Sequence, residues 1–257
     1  MALKRIMPAL LFDGRALVKT VRFKDPRYIG DPINAIKIYN EKEVDELVML
    51  DIRATPERRP PNFDMIRECA SECFMPFSYG GGVRTVDDFG RLYKLGVEKV
   101  IVNTLCLTAP EIVREATRQY GGTSVVASVD YKKRLLGGFQ VHSTAGAKTK
   151  RGLVDHCRFL AEELGVGELL LYSVERDGTW SGYDLPTITE IGRAVSVPLI
   201  ACGGAGSITD IRAVLEQTPA NAAAIGSMAV YQKKGMGVLI NFPRRDLILD
   251  EAVGEPA

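Results

Sequence analysis

Short apolar runs alternate with longer amphipathic ones along almost the whole chain. The runs at 5–11, 46–51, 76–79, 99–102, 124–130, 168–173, 198–202 and 222–225 are rich in Val, Ile and Leu, and their brevity predicts buried strands. Between them, near 31–43, 62–73, 85–94, 109–119, 152–164, 184–193, 207–216 and 227–233, the longer spacing predicts helices. Thr85, Asp184 and Ser207 stand where helix N-caps belong. Eight such alternations predict parallel strands joined by crossover helices, and eight is the number that closes a (β/α)8 barrel. The other arrangement of this pattern is a doubly wound open sheet. It would carry Gly-x-Gly-x-x-Gly after its first strand, and that turn is missing.

An internal repeat sharpens the barrel reading. Gly80-Gly-Gly-Val-Arg-Thr-Val-Asp-Asp returns as Gly203-Gly-Ala-Gly-Ser-Ile-Thr-Asp-Ile, and Val100-Ile-Val-Asn-Thr returns as Ala223-Ala-Ile-Gly-Ser. Leu47-Val-Met-Leu-Asp-Ile matches Leu169-Leu-Leu-Tyr-Ser-Val, and Leu10-Leu11-Phe12 matches Val129-Asp130-Tyr131. All four offsets lie near 120 residues. One domain over 1–257 is expected, built from half-barrels at about 1–120 and 121–235 with a divergent C-terminal tail.

Composition narrows the function classes. The 33 basic and 32 acidic residues leave a net charge of +1, which argues against nucleic acid or a membrane surface as the main partner. No apolar run approaches the length of a membrane span, and the first residues lack a signal-peptide pattern, so a cytoplasmic protein is expected. Five cysteines, an odd number lying mostly in apolar segments, fit reduced core thiols. The only histidines, His142 and His156, show no ligand spacing. No metal and no cofactor are expected.

In a (β/α)8 barrel the chemistry belongs at the C-terminal ends of the strands. There the chain places two glycine-rich turns, Gly80–Gly82 and Gly203–Gly206, whose backbone N–H groups can approach phosphate oxygens. Asn103-Thr104 and Gly226-Ser227, after the fourth and eighth strands, can add donors. Two such turns half a barrel apart point to a ligand with a phosphate at each end. Asp51, Asp130 and Asp177 lie at or just beyond strand ends, and two carboxylates across a barrel mouth can divide acid and base roles. The repeat predicts an acid opposite Asp130, but Leu11 stands there, and the nearby Asp13 reads as a turn residue. At the other end, Arg5, Glu46, Lys99 and Glu168 open strands one, two, four and six. In a closed barrel they can converge into a ring of alternating charge over the axis.

These residues resemble the cyclase subunit of imidazole glycerol phosphate synthase. The likeness runs from Lys4-Arg5-Ile6 to about Tyr231 and is carried by Asp45–Ile52, Gly80–Arg84, Asn103-Thr104 and above all Arg176-Asp-Gly-Thr-Trp-Ser-Gly-Tyr-Asp184. The resemblance implies a barrel paired as a heterodimer with a glutaminase subunit. Ammonia would enter through a gate formed by Arg5, Glu46, Lys99 and Glu168 and travel up the axis to a doubly phosphorylated ligand. It also implies one phosphate site at Gly82, Asn103 and Thr104, and another at Asp177, Gly178, Gly204, Gly226 and Ser227. Lys19 matches the lysine of a mobile first loop, Asp51 lies among the substrate-contacting residues, and Asp130 matches one of two catalytic aspartates. Leu11 replaces the other, in a segment one residue shorter than the family's, and the segment 235–243 also departs from the family pattern. Both departures are similar to those of a paralogous branch tied to acetamidino sugars of surface polysaccharide. There a separate sugar amidotransferase is a further expected partner. An ordinary histidine-pathway cyclase and a non-catalytic activator of the glutaminase are the competing expectations.

Overall fold

The computed structural model describes residues 4–134 and 137–248. The start of the chain, where the absence of a leader was read, and the last nine residues of the divergent tail lie outside the described residues. In the first half, β1 (Arg5–Phe12) leads into a hairpin of β2 (Leu17–Val21) and β3 (Lys24–Gly30), then α1 (Pro32–Glu41). There follow β4 (Leu47–Asp51), α2 (Phe63–Glu72), β5 (Phe77–Gly80), α3 (Val86–Lys94), β6 (Lys99–Val102), α4 (Thr104–Thr108) and α5 (Pro110–Tyr120). The second half opens with β7 (Val125–Lys133), β8 (Phe139–His142) and α6 (Leu153–Arg158). It continues through β9 (Glu168–Ser173), α7 (Leu185–Ala194), β10 (Leu199–Cys202), α8 (Ile208–Gln217), β11 (Ala222–Ile225) and α9 (Ser227–Val230).

Strands β1, β4, β5, β6, β7, β9, β10 and β11 pair in parallel, in that order, and β11 pairs back onto β1 through Arg5↔Ala222 to Pro8↔Ile225. The sheet is closed, and the eight strands are those expected from the apolar runs. Closure divides each strand by the period-two alternation of side chains. On β1, Ile6, Leu10 and Phe12 join the large core between sheet and helices, while Met7 and Ala9 join a smaller cluster on the barrel axis. Val48, Ile101, Val126, Leu170, Tyr172, Ile200, Cys202, Ala222 and Ala224 complete that axial cluster.

The half-barrel repeat recurs in the connections. On the edge left free beyond its pairing with β11, β1 pairs antiparallel with β2, and β7 does the same with β8 beyond its pairing with β6. These three extra strands escaped the sequence pattern because β3, Lys-Asp-Pro-Arg-Tyr-Ile-Gly, is mostly exposed and β8 is only half-buried. The last outer element also departs from expectation. The helix foreseen at 227–233 stops at Val230, and an extended segment takes over, with Leu239 N–H bonded to the Val230 carbonyl and Asn241 N–H to the Ala229 carbonyl. Gly235, Gly237 and Pro243 in this stretch disfavour helix. Phe242 then fills the place of helical side chains by packing edge-on against Tyr39.

One buried ionisable group outside the barrel ties stability to pH. His156 on α6 stacks on Phe159, and its Nδ1 has no partner among the described residues. Burial, and then the nearby Arg151 charge, push its pKa down to about 4. Unfolded, the imidazole titrates near 6.5, so between those values the unfolded chain binds a proton that the folded chain does not. Its contribution is therefore present above about pH 6.5 and is lost as the pH falls toward 4, amounting to roughly 3 kcal/mol. Urea unfolding of wild type and His156→Gln across that window should show the wild type losing about that much relative to the variant.

Candidate functional site

At the N-terminal end of the barrel, inward-facing residues of four strands meet in a closed cycle of ion pairs. Arg5 Nη1 lies 2.6 Å from Glu46 Oε2, and its Nη2 bonds Glu168 Oε1. Lys99 Nζ completes the cycle at 2.9 Å from Glu46 and 3.0 Å from Glu168. The Ser78 hydroxyl donates to the remaining Glu46 oxygen at 2.6 Å. The carboxylates are buried and the two cations partly exposed, so the ring is neutral as a unit and presents its positive members outward. Above it along the axis lie apolar side chains, Met7, Val48, Val126 and Leu170 among them.

At the opposite end the strand termini surround a cavity of about 910 Å³. Asp130 lines it, buried, accepting a hydrogen bond from the Ser128 hydroxyl at 2.9 Å. Burial dominates its titration. It pushes the carboxyl up to about 7 although Ser128 and the nearby Asn103 side chain favour the ionised form, and the Asp177 charge adds to the rise. Such a group holds a proton near neutrality and can also release it, as acid–base work requires.

Leu11 lines the same cavity from β1, opposite in the repeat, and is buried. Asp13 does not stand in for the absent acid. Its Oδ1 accepts the N–H groups of Arg15 and Ala16 at 2.9 and 3.0 Å, closing the turn before β2, and it does not line the cavity.

The first glycine turn forms one end of the cavity, with Gly82, Asn103 and Thr104 all on its wall. Gly81 and Gly82 adopt φ of 120° and 75°, and a Cβ on Gly82 would sit 2.8 Å from the Arg59 carbonyl. Glycine is thus required both by backbone conformation and by close approach. Thr55 accepts the Gly82 N–H at 3.1 Å, and the Thr104 hydroxyl pairs with Ser143 at 3.0 Å. Asp51 is also on the cavity wall, and it braces the loop beside it. Leu47 and Met49 belong to the outer core, so alternation turns Asp51 away from the axis. Its Oδ1 accepts the N–H groups of Arg53 and Ala54 at 3.0 and 2.9 Å and fixes the loop after β4.

The second cradle is covered. Asp177 is buried at the centre of a network that holds the β2–β3 hairpin over this half of the mouth. It accepts from Thr20 at 2.7 Å, from Phe23 N–H at 3.1 Å and from Tyr172 at 2.9 Å, with Lys19 Nζ at 3.4 Å. Burial would raise the Asp177 pKa, but Lys19 and these donors outweigh it and hold the carboxyl below its ordinary value. Lys19 reaches far enough that a Cβ on Gly226 would meet its Nζ at 2.7 Å. A Cβ on Gly178 would meet the Thr20 carbonyl at 2.5 Å, and Gly204 accepts Gly182 N–H at 2.8 Å. Ser227 is buried at the start of α9. Lys19, Asp177, Gly178 and Gly226 are therefore brought together, but the cavity wall itself includes neither these nor Gly204 and Ser227.

Tyr172, Ser128 and Phe23 were not singled out from sequence. Tyr172 belongs to the axial cluster and also lines the cavity, with Phe23 packed edge-on against its ring at 4.9 Å. Its inward parity, two residues beyond Leu170, is the signal that could have marked it. Among the described residues no group of His, Cys, Asp and Glu could hold a metal ion, and no helix is long and apolar enough to cross a membrane.

The two carboxylates at the mouth are thus pushed apart, Asp177 toward the ionised form and Asp130 toward the neutral one. Carbon-13 NMR titration of Asp130 should give a midpoint near 7. Ser128→Ala, which removes a bond to the ionised form, should move it upward. A midpoint in the ordinary carboxylate range, or a downward move, would contradict this assignment.

Residues 5–235 match the family described as histidine biosynthesis protein. A Pseudomonas aeruginosa protein, provisionally named imidazole glycerol phosphate synthase subunit hisF2, is 47% identical over 95% of this chain and 97% of its own length. A Vibrio vulnificus protein provisionally named subunit hisF3 of the same synthase is 42% identical over 93% of this chain and 92% of its own. Imidazole glycerol phosphate synthase subunit HisF of Streptococcus sanguinis is 43% identical over 89% and 90%. With the barrel closed and both of its ends assembled as described, the chain belongs to the histidine-biosynthesis protein family as a HisF-type subunit.

Proposed function

We propose that this chain is the synthase-type subunit of a glutamine amidotransferase complex. In this reading it receives ammonia from a glutaminase partner and delivers it along the barrel to a doubly phosphorylated ligand. The Arg5–Glu46–Lys99–Glu168 ring is the entry, and its neutral, hydrogen-bonded form keeps bulk ions out of the axis. Uncharged ammonia crosses an apolar passage at far lower cost than ammonium, because an unpaired ion pays heavily for leaving water. At the far end Gly82, Asn103 and Thr104 hold one phosphate. Asp177, Gly178, Gly204, Gly226 and Ser227 hold the other once the hairpin bearing Lys19 lifts. Asp130 moves the proton at the reacting centre.

The observation that carries the pathway assignment is Leu11. An apolar side chain faces Asp130 where a second acid would be needed, and Asp13 is committed to its turn. Acid–base assistance is commonly worth about 10²–10⁴ in rate, so one carboxylate alone leaves cyclisation slow. The entry ring is nonetheless complete. This combination fits a subunit serving acetamidino-sugar formation in surface polysaccharide, alongside a separate sugar amidotransferase, better than a cyclase of histidine synthesis.

The test is ammonium-dependent turnover of the phosphoribulosyl formimino ribotide substrate by the purified chain. Binding with little turnover is expected, and Leu11→Asp should raise the rate by about a hundredfold. Wild-type turnover matching that of histidine-pathway HisF subunits would reassign the chain to that pathway.

A further inference from the structure

The first glycine turn carries more positive charge than a single phosphate needs. Arg53, Arg58 and Arg84 all line the cavity beside Gly80–Gly82, and all three are exposed. Among the described residues none of them has a carboxylate within ion-pair distance. Arg59, the next residue along, shows the contrast, since it pairs with Glu57 at 2.7 Å and with Asp51 at 3.6 Å. The acid that acts on Arg53 is Asp13, which lies beyond ion-pair distance and is already held by two N–H groups of its own turn.

The loops bearing these arginines are fixed rather than loose. Asp51 holds the Arg53 and Ala54 N–H groups, so the turn from which Arg53 projects is set from beneath. Arg84 Nη1 donates to the Arg58 carbonyl at 3.3 Å, tying the loop after β4 to the turn after β5. Thr55 joins the same two loops through Gly82 N–H. Three guanidinium groups held on one rim repel one another, and an anion placed between them relieves that repulsion.

A phosphate monoester brings at most two negative charges, which the glycine turn and one or two guanidinium groups satisfy. A third arginine adds planar, paired donors suited to another phosphoryl group. The wall between the rim and Asp130 is largely apolar, with Leu11, Leu50 and Ile101 among its members, and the cavity is roomy.

From this charge excess we propose that the Gly80–Gly82 end takes a diphosphate ester. Gly82, Asn103 and Thr104 receive one phosphoryl group, and Arg53, with Arg58 and Arg84, receives the second. The proposal rests on the reading of this turn as a phosphate site and replaces the single phosphate there with a diphosphate, so that a ligand spanning both ends carries three phosphoryl groups.

Calorimetric titration of the full chain with inorganic phosphate and with pyrophosphate, without divalent cations, separates the two claims. Pyrophosphate is expected to bind at least about tenfold more tightly than phosphate. Arg53→Ala should cut pyrophosphate affinity about tenfold while leaving phosphate within about twofold. Arg118→Ala, an exposed change on α5 away from the cavity, controls for overall charge and should move neither. Among the described residues the Arg53 side chain makes no hydrogen bond or ion pair, and unchanged thermal unfolding of its variant verifies that it folds. Phosphate binding without a pyrophosphate preference, or equal loss of both in Arg53→Ala, would overturn the diphosphate assignment and leave the phosphate cradle standing. Failure of both anions to bind at millimolar concentration would overturn the cradle as well.

Discussion

Closure of the sheet is the constraint on which the rest of this structure depends. Once β11 pairs with β1, every second residue of eight strands must face a common axis, and the chain has to place there whatever that axis is to do. The first inward position of four strands is charged and the charges alternate in sign, so they neutralise one another over the lower opening. The next inward positions are apolar and pack the axis. The last ones, Leu11 and Asp130 on pseudo-equivalent strands, face the upper cavity. One alternation thus yields a charged floor, an apolar middle and a cavity at the mouth.

The two halves of the mouth have diverged within one plan. Each first strand of a half-barrel throws an antiparallel excursion over the rim, as the β2–β3 hairpin and as β8. The hairpin is anchored through Thr20, Phe23 and Lys19 to the single buried carboxylate of Asp177, and it shuts one cradle. The β8 side leaves the other cradle open, touching it through Ser143 on Thr104. The electrostatic consequence is a division of labour between two acids. Asp177 is ionised by its partners, while Asp130, with fewer donors and full burial, keeps its proton near neutral pH. Leu11, at the pseudo-equivalent position on β1, is uncharged and takes no part in this balance, since Asp130 draws its environment from Ser128, Asn103 and burial.

Most of the barrel was legible because its strands are buried on both faces and read as short apolar runs. The charge ring was legible because Arg5, Glu46, Lys99 and Glu168 each interrupt such a run at the same end. Elements that depend on tertiary contacts were not legible. β3 is mostly exposed, so its pairing with β2 leaves no periodic trace, and the packing of Phe242 on Tyr39 joins residues about 200 positions apart. Asp51, expected among ligand contacts, lines the cavity and also organises the arginine-bearing loop, a second task that its place at a strand end did not reveal. Tyr172 carries no sequence signal apart from its strand position, although its hydroxyl completes the Asp177 network.

The floor of the barrel is the part of the account that most directly implies a partner. Sedimentation velocity on an equimolar mixture of this chain with the glutaminase subunit encoded in the same genome tests it. A one-to-one complex is predicted, weakened when Lys99→Glu places three carboxylates around Arg5. No association, or association indifferent to that reversal, would contradict the assignment of the ring as the docking end of an ammonia path.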